Sequence, residues 1–283
     1  MLESVHRLGS KIRHSPLLRR QTWLWQRVEP VWQAAFARAS KDRGFETRVN
    51  GDVFRLDYSL GARYDREDKR SYEPVFYSAF VEEIRPGMKV ADVGAHFGFF
   101  TLAAALRVGG EGRVFSFEPS AQTAATLRQN VLLNHWQERV EVVENVVSDA
   151  EGFVSFYTYG TSMAASLSRQ NVEVLNPERT AAATEIKVPS ATIDQFCKAR
   201  LTGLDLLKID VEGAELLVLR GARELLLTAR PRILCEIHPL QMQHCGSSKV
   251  ELDSFLQDVG YRLEPLDAPN PAGIFHGLFA PRL

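Results

Sequence analysis

Residues 89–101 read Lys-Val-Ala-Asp-Val-Gly-Ala-His-Phe-Gly-Phe-Phe-Thr. Val90, Ala91 and Val93 form a short apolar strand pattern. Gly94 and Gly98 follow, and Leu102, Ala105 and Leu106 then recur at helical spacing. The stretch is a strand, a tight turn and a helix start. Glycine permits the sharp bend and a ligand's close approach, and the helix beginning behind it offers unpaired N–H groups. Such a turn suits a nucleotide-like cofactor. The next strand, Val114-Phe115-Ser116-Phe117, ends in Glu118. An acidic residue roughly 20 positions after a glycine turn is where ribose hydroxyls are held. Glu118 is therefore the expected ribose anchor.

A dinucleotide fingerprint needs Gly-x-Gly-x-x-Gly, and His96 occupies its middle glycine position. The Asp-x-Gly-x-x-x-Gly form, from Asp92 to Gly98, instead resembles motif I of the S-adenosylmethionine-dependent methyltransferases. An ordinary strand-to-helix turn is the plain alternative, and the spacing to Glu118 argues against it. His96 sits inside the turn, where its ring can cover a ligand or simply pack beside Phe97.

Outward from this turn the chain reads as a doubly wound α/β domain. Toward the N-terminus, Asn50-Gly51-Asp52 lies between Val49 and Val53, Phe54, Leu56 and Tyr58, a hairpin signal. Ser71-Tyr72-Glu73-Pro74 opens a helix with Phe76, Ala79, Phe80 and Ile84 on one face. Residues 1–45 carry Trp23, Trp25 and Trp32 among Arg and Lys. They read as a helical cap, a dimerisation or substrate-covering arm, or an interfacial membrane helix. The expected division is a helical N-terminal extension over 1–50 and a catalytic domain over 51–283.

Toward the C-terminus, a helix from Pro119-Ser120 buries Ala124, Leu127 and Val131, and a strand at Val140–Val143 follows. Asn145, at that strand's carboxyl end, can meet an adenine or merely make a turn. Phe153–Tyr157 and Glu185–Val188 look like paired strands, joined by a long polar loop expected to cover substrate. Leu204–Ile209 is a buried strand, with Ala214, Val218, Gly221 and Leu225 marking the next helix. Arg232–Ile237 is another strand, Leu252, Phe255, Leu256 and Val259 mark a helix, and Tyr261–Glu264 and Ile274–Ala280 close the sheet.

With 283 residues, 45% of them hydrophobic, the chain can bury one large core. Its net charge of −1 gives no field that recommends nucleic acid. Cys197, Cys235 and Cys245 lack metal or disulfide spacing, so a reducing cytoplasm is expected. No window is apolar enough to span a membrane, and no signal peptide is seen.

Lys208-Ile209-Asp210-Val211-Glu212-Gly213-Ala214-Glu215 places three carboxylates around one turn, and the following strand ends Glu236-Ile237-His238-Pro239. If the two strands are neighbours, Asp210, Glu212, Glu236 and His238 converge on one mouth at the ligand-binding edge. Carboxylates ending apolar strands need a partner, such as a substrate hydroxyl, an amine or a metal. Glu212 and Glu215 also read as helix N-terminal charges, and His238 as a base or a structural histidine.

These residues resemble the FkbM-type methyltransferases. The likeness covers roughly 71–240 through Tyr72-Glu73-Pro74, Asp92-Val93-Gly94-Ala95, Phe117-Glu118-Pro119, Thr192-Ile193-Asp194, Lys208–Glu215 and Glu236-Ile237-His238. It implies a class I Rossmann-like methyltransferase fold with a doubly wound, mostly parallel seven-stranded sheet. It also implies methyl transfer from S-adenosylmethionine to a hydroxyl of a small molecule such as a glycan or polyketide. Gly94, Ala95 and Gly98 would line the cofactor, Glu118 would hold the ribose, and Tyr72 and Glu73 would approach from the preceding helix. Asp92, His96, Pro119, Asn145 and Asp210 complete the expected cofactor set. The family usually has asparagine at the position of His96, and residues before 71 lie outside the likeness.

The expected catalytic residues are Asp210, Glu236 and His238, one of which orients or deprotonates the acceptor. A divalent ion on Asp210, Glu212 and Glu236 is the less favoured alternative. Two rival readings are a non-catalytic module that binds the cofactor or a partner, and an NAD-dependent oxidoreductase. A homodimer through the N-terminal extension is a further expectation.

Overall fold

The structure, a computed structural model, describes residues 27–28, 31–32, 34–35, 38–39, 43–58, 60, 72–159, 165–178, 182–200 and 202–282. It divides into two compact units, Met1–Pro74 with Gln129–Trp136, and Val75–Arg128 with Gln137–Leu283.

In the first unit, β1 (Phe45–Val49) and β2 (Asp52–Leu56) pair antiparallel with Val49 opposite Asp52. This register leaves Asn50 and Gly51 as a two-residue turn, both at positive φ (47° and 96°), the backbone such a turn requires. The hairpin is where the sequence places it. The expected boundary at residue 50 consequently falls inside a hairpin. The Asn50 side chain accepts from the Tyr72 N–H at 3.0 Å and donates to the Tyr72 carbonyl at 2.5 Å. Phe54 meets Trp136 edge-on at 6.3 Å. In the N-terminal extension the described helical residues are Arg27, Val28, Val31, Trp32, Ala34, Ala35, Arg38 and Ala39. The expectations that rest on Trp23 and Trp25 lie outside the described residues.

After the hairpin come α1 (Pro74–Glu83), β3 (Lys89–Val93), α2 (Phe99–Val108), β4 (Arg113–Phe117), α3 (Ala121–Leu133) and β5 (Val140–Val143), all in the second unit except Pro74 and residues 129–133. A smaller section follows, with β6 (Val146–Val147), β7 (Gly152–Thr158), α4 (Arg169–Leu175) and β8 (Thr184–Ala191). Then come α5 (Ile193–Arg200), β9 (Leu206–Ile209), α6 (Glu215–Arg220), α7 (Arg223–Thr228), β10 (Arg232–Ile237), α8 (Pro239–His244), α9 (Lys249–Asp258), β11 (Tyr261–Pro265) and β12 (Phe275–Pro281). Pro74 opens α1 at no cost in hydrogen bonds, because an N–H there has no helical acceptor.

The central sheet has the order β11-β12-β10-β9-β3-β4-β5, parallel throughout except for β12. This is the expected doubly wound, seven-stranded α/β arrangement. Strands β3, β4 and β9 are buried almost end to end, as a sheet covered on both faces demands. The chain leaves β3 toward β4 and β5 on one side, and β9 and β10 lie on the other. The switch point therefore falls between β3 and β9, where a doubly wound sheet opens its ligand crevice.

Two expectations are corrected here. The segment between β7 and β8 is not simply a polar loop, since Ser168 caps α4 by accepting from the Asn171 N–H. The predicted continuous helix through Ala214, Gly221 and Leu225 is two short helices. A Cβ on Gly221 would stand 2.0 Å from the Ser148 carbonyl oxygen, so a close backbone approach takes precedence over helical continuity. Strands β6, β8 and β7 form a separate three-stranded sheet. Among the described residues no helix is long and apolar enough to cross a membrane.

Candidate active site

The glycine turn closes over the carboxyl ends of β3 and β4. Gly94 N–H and Ala95 N–H both donate to the Phe117 carbonyl, at 3.1 and 3.0 Å. Gly94 has φ 79°, and a Cβ there would meet the Asp210 carbonyl oxygen at 1.8 Å. Only glycine lets β3 and the loop after β9 approach this closely. Gly98 has φ 90°, and its absent Cβ leaves room for Leu127. His96 also has positive φ (48°), and its ring lies 3.8 Å from that of Phe97.

Glu118 ties this turn together. One carboxylate oxygen accepts from the His96 N–H at 3.0 Å and the other from the Ser120 N–H at 2.9 Å. Burial drives its carboxyl from an ordinary 4.5 up to about 7, and the two N–H bonds pull in the opposite direction. Each oxygen keeps a second lone pair for a hydroxyl donor. Pro119 follows Glu118 directly, and Asn145 lies in the short link between β5 and β6.

Asp92 has no exposed surface. It accepts from Thr101 Oγ1 at 2.7 Å and stands 3.2 Å from Lys208 Nζ, so it supports the turn from beneath without reaching a ligand itself. Lys208 joins the site although it lies outside the expected set. It is buried inside β9, donates to the Gly94 carbonyl at 3.1 Å and lies 3.5 Å from Asp210 Oδ2. A lysine within an otherwise apolar strand, Leu206-Leu207-Lys208-Ile209, is the signal that such pairing must exist.

On the other side of the switch point, the structure does bring Asp210, Glu212, Glu236 and His238 together. His238 is 2% exposed. Its Nδ1 bonds Glu215 Oε1 at 2.7 Å, and its Nε2 lies 3.4 Å from Glu212 Oε2 and 3.8 Å from Glu236 Oε1. Burial alone would lower its pKa, but the Glu215 bond and the charges of Glu215, Glu212 and Glu236 raise it to about 10. His238 is thus a cation at neutral pH, which corrects its expected role as a base: its proton is already in place.

Glu215 is not merely a helix-terminal charge. It is fully buried, and its Oε1 accepts both from His238 and from the Gly213 N–H at 3.1 Å. For Asp210, burial raises the carboxyl, but Lys208, His238 and a hydrogen bond with Glu236 together hold it below the ordinary 3.8. Glu212 has φ 51°, and its carbonyl accepts from Ser166 Oγ and Asn171 Nδ2, each at 2.9 Å. The segment expected to cover substrate is therefore latched onto the acidic turn.

The alternative metal trio is not assembled as expected. Among the described residues of this unit, the donor atoms within 4.8 Å of one another belong to Asp210, Glu212 and His238, without Glu236. A protonated His238 offers no lone pair to an ion. Tyr72 and Glu73 belong to the first unit, where Glu73 has a positive φ of 42°. His276, which β12 places opposite Glu236, also lies outside the expected set.

The residues fit S-adenosylmethionine. Glu118 can receive ribose hydroxyls. The acidic side sets Asp92, Asp210, Glu212 and Glu215 against two cations, Lys208 and His238, and that surplus of negative charge suits a cationic ligand.

The chain is similar to several known proteins. The profile described as Methyltransferase FkbM domain matches residues 92–263. The AMB antimetabolite synthetase AmbE of Pseudomonas aeruginosa is 28% identical over 72% of this chain and 11% of its own length. The 31-O-demethyl-FK506 methyltransferase FkbM of Streptomyces tacrolimicus is 28% identical over 55% of this chain and 67% of its own. The 2-O-methyltransferase NoeI of Sinorhizobium fredii is 25% identical over 52% of this chain and 62% of its own. The chain thus spans about a tenth of the first and about two thirds of the other two. Among solved structures, a methyltransferase FkbM from Methylobacillus flagellatus aligns over 79% of this chain and 53% of its own, with 15% identity and a TM-score of 0.47.

Proposed function

The chain belongs to the FkbM methyltransferase family, and from that premise we propose that it transfers a methyl group from S-adenosylmethionine to a hydroxyl oxygen of a small molecule. The observation that carries this reading is the meeting, at one switch point, of the glycine turn with its Glu118 clamp and the acidic mouth around Asp210. The names of the FkbM and NoeI relatives support oxygen as the acceptor atom.

S-Adenosylmethionine, when bound, supplies an electrophilic methyl group on a positively charged sulfur. Glu118 would hold the ribose, with Gly94, Ala95 and Gly98 leaving room for the cofactor beside the turn. The protein's main task is then to align the acceptor oxygen, since positioning of this kind contributes about 7–11 kcal/mol and a base only about 10²–10⁴-fold in rate. Asp210, Glu212 and Glu236, 19%, 21% and 17% exposed at their side chains, can meet an acceptor hydroxyl, and Asp210 and Glu236 are the ones assigned to it. His238 and Lys208 hold them in place as fixed positive charges.

The test is transfer of a labelled methyl group to a panel of hydroxylated small molecules, alongside calorimetry with S-adenosylmethionine and with NAD. Wild type is expected to bind the methyl donor and not NAD, and Glu118→Ala is expected to lose that binding. Binding of neither ligand by a folded wild-type chain would refute the reading.

A further inference from the structure

His276 is fixed on three sides. Its Nδ1 lies 2.5 Å from Asp267 Oδ2, and Asp267 Oδ1 accepts the His276 backbone N–H at 2.8 Å. The ring also stacks on Phe76, with centroids 4.5 Å apart and planes 25° apart. The bond to Asp267 places the proton of a neutral ring on Nδ1 and leaves a lone pair on Nε2. Nε2 is shielded from water, makes no hydrogen bond, and faces Glu236 Oε1 at 3.6 Å. A buried ring nitrogen without a bond is costly. Orienting an imidazole by a carboxylate so that the other nitrogen stays open is how a proton acceptor is held.

Glu236 connects this nitrogen to the mouth. Its Oε1 also lies 3.8 Å from His238 Nε2, and its side chain is 17% exposed there. The other nearby imidazole, His238, already carries a positive charge and cannot take a further proton.

We propose that Asp267 and His276 form a proton-accepting pair behind Glu236, through which the proton of the acceptor hydroxyl leaves the mouth. This rests on the O-methylation reading above. The acceptor O–H bond breaks as the new carbon–oxygen bond forms at the expense of the donor's carbon–sulfur bond. Glu236 takes the hydroxyl proton and passes it to His276 Nε2, and so returns to its starting state. The ring finishes as imidazolium, its charge met by Asp267. His276 reaches the acceptor only through Glu236, so it is a positioning and relay residue.

Two measurements on the full chain test the pair. Nitrogen-edited NMR of histidine-labelled protein should show His276 protonated at Nδ1 and bare at Nε2, with that preference lost in Asp267→Asn. A wild-type ring protonated at Nε2 overturns the proposal. In methyl transfer to neutral pyranosides and cyclohexanols, His276→Gln and Asp267→Asn should lower turnover about tenfold or more, with S-adenosylmethionine affinity within about twofold of wild type. Imidazole added to His276→Ala should restore part of the rate, which a merely structural ring would not allow. Turnover of both variants within about twofold of wild type overturns the pair. If wild type methylates none of the panel, the acceptor reading fails by itself, and the ring spectrum decides the proposal.

Discussion

The cofactor side of the mouth is held by backbone, and the acidic side by charge. At the Gly94–Gly98 turn, three consecutive N–H groups, those of Gly94, Ala95 and His96, bond Phe117 and Glu118. At the ends of β9 and β10, Lys208 and His238 are embedded among carboxylates, and ion pairs dominate the side-chain contacts. The difference teaches that the two halves should fail in different ways. Steric change should break the first, and proton or charge change the second.

The largest effect is expected at the steric half. Gly94→Ala places a methyl group 1.8 Å from the Asp210 carbonyl at a φ of 79°. It should cost more than about 4 kcal/mol and abolish soluble folded protein or cofactor binding, as thermal melting and calorimetry would show. A variant that melts like wild type would mean that the turn and the acidic loop can separate freely, and the comparison would collapse.

Next comes the charged half. Glu215→Ala removes the partner of a fully buried imidazolium and should cost about 3 kcal/mol in chemical denaturation. The sign with pH follows from the raised His238 value of about 10. Its stabilising contribution is fully present below pH 6.5, the ordinary value, and is lost as pH rises through about 10. Wild-type stability should therefore decline across that alkaline window, and Glu215→Ala should show a smaller decline, with Glu212 and Glu236 still present. An identical pH dependence in both proteins would remove His238 from the account.

A smaller loss is expected where the inserted segment grips the acidic turn. Asn171 is 1% exposed and donates to the Glu212 and Gln241 carbonyls at 2.9 and 3.1 Å. Asn171→Ala should cost about 2 kcal/mol. It should lower methyl transfer more than S-adenosylmethionine binding, because it loosens the acceptor side and leaves the glycine turn intact. Equal losses in both would show that the halves are not independent. The smallest effect belongs to the surface. Breaking the Lys249–Asp253 pair, whose side chains are 30% and 40% exposed, should change stability by no more than about 0.5 kcal/mol in the same denaturation assay.

The same contrast explains what the sequence made legible. Glycine spacing and the strand ending at Glu118 report backbone geometry directly, and apolar runs such as Leu206–Ile209 report a sheet buried on both faces. Asp210, Glu236 and His238 could be placed at one mouth because each ends a strand. Their protonation could not be read, since it depends on Glu215 and Lys208, which meet them only in space. His276 was hidden for a similar reason: the antiparallel register of β12 on β10 sets it opposite Glu236, 40 positions earlier in the chain. The helix at Arg169–Leu175 was obscured by its polar composition, and the break at Gly221 by a contact with Ser148 that no local pattern carries.

The most direct test of the central claim is titration of S-adenosylmethionine into the full chain near pH 6, in buffers of differing ionisation heat. Glu118 is largely protonated there, because its value is about 7, and a ribose held through its carboxylate would expel that proton. The account predicts one-site binding with net proton release that disappears in Glu118→Gln. Absence of binding, or binding without proton release in the wild type, would contradict it.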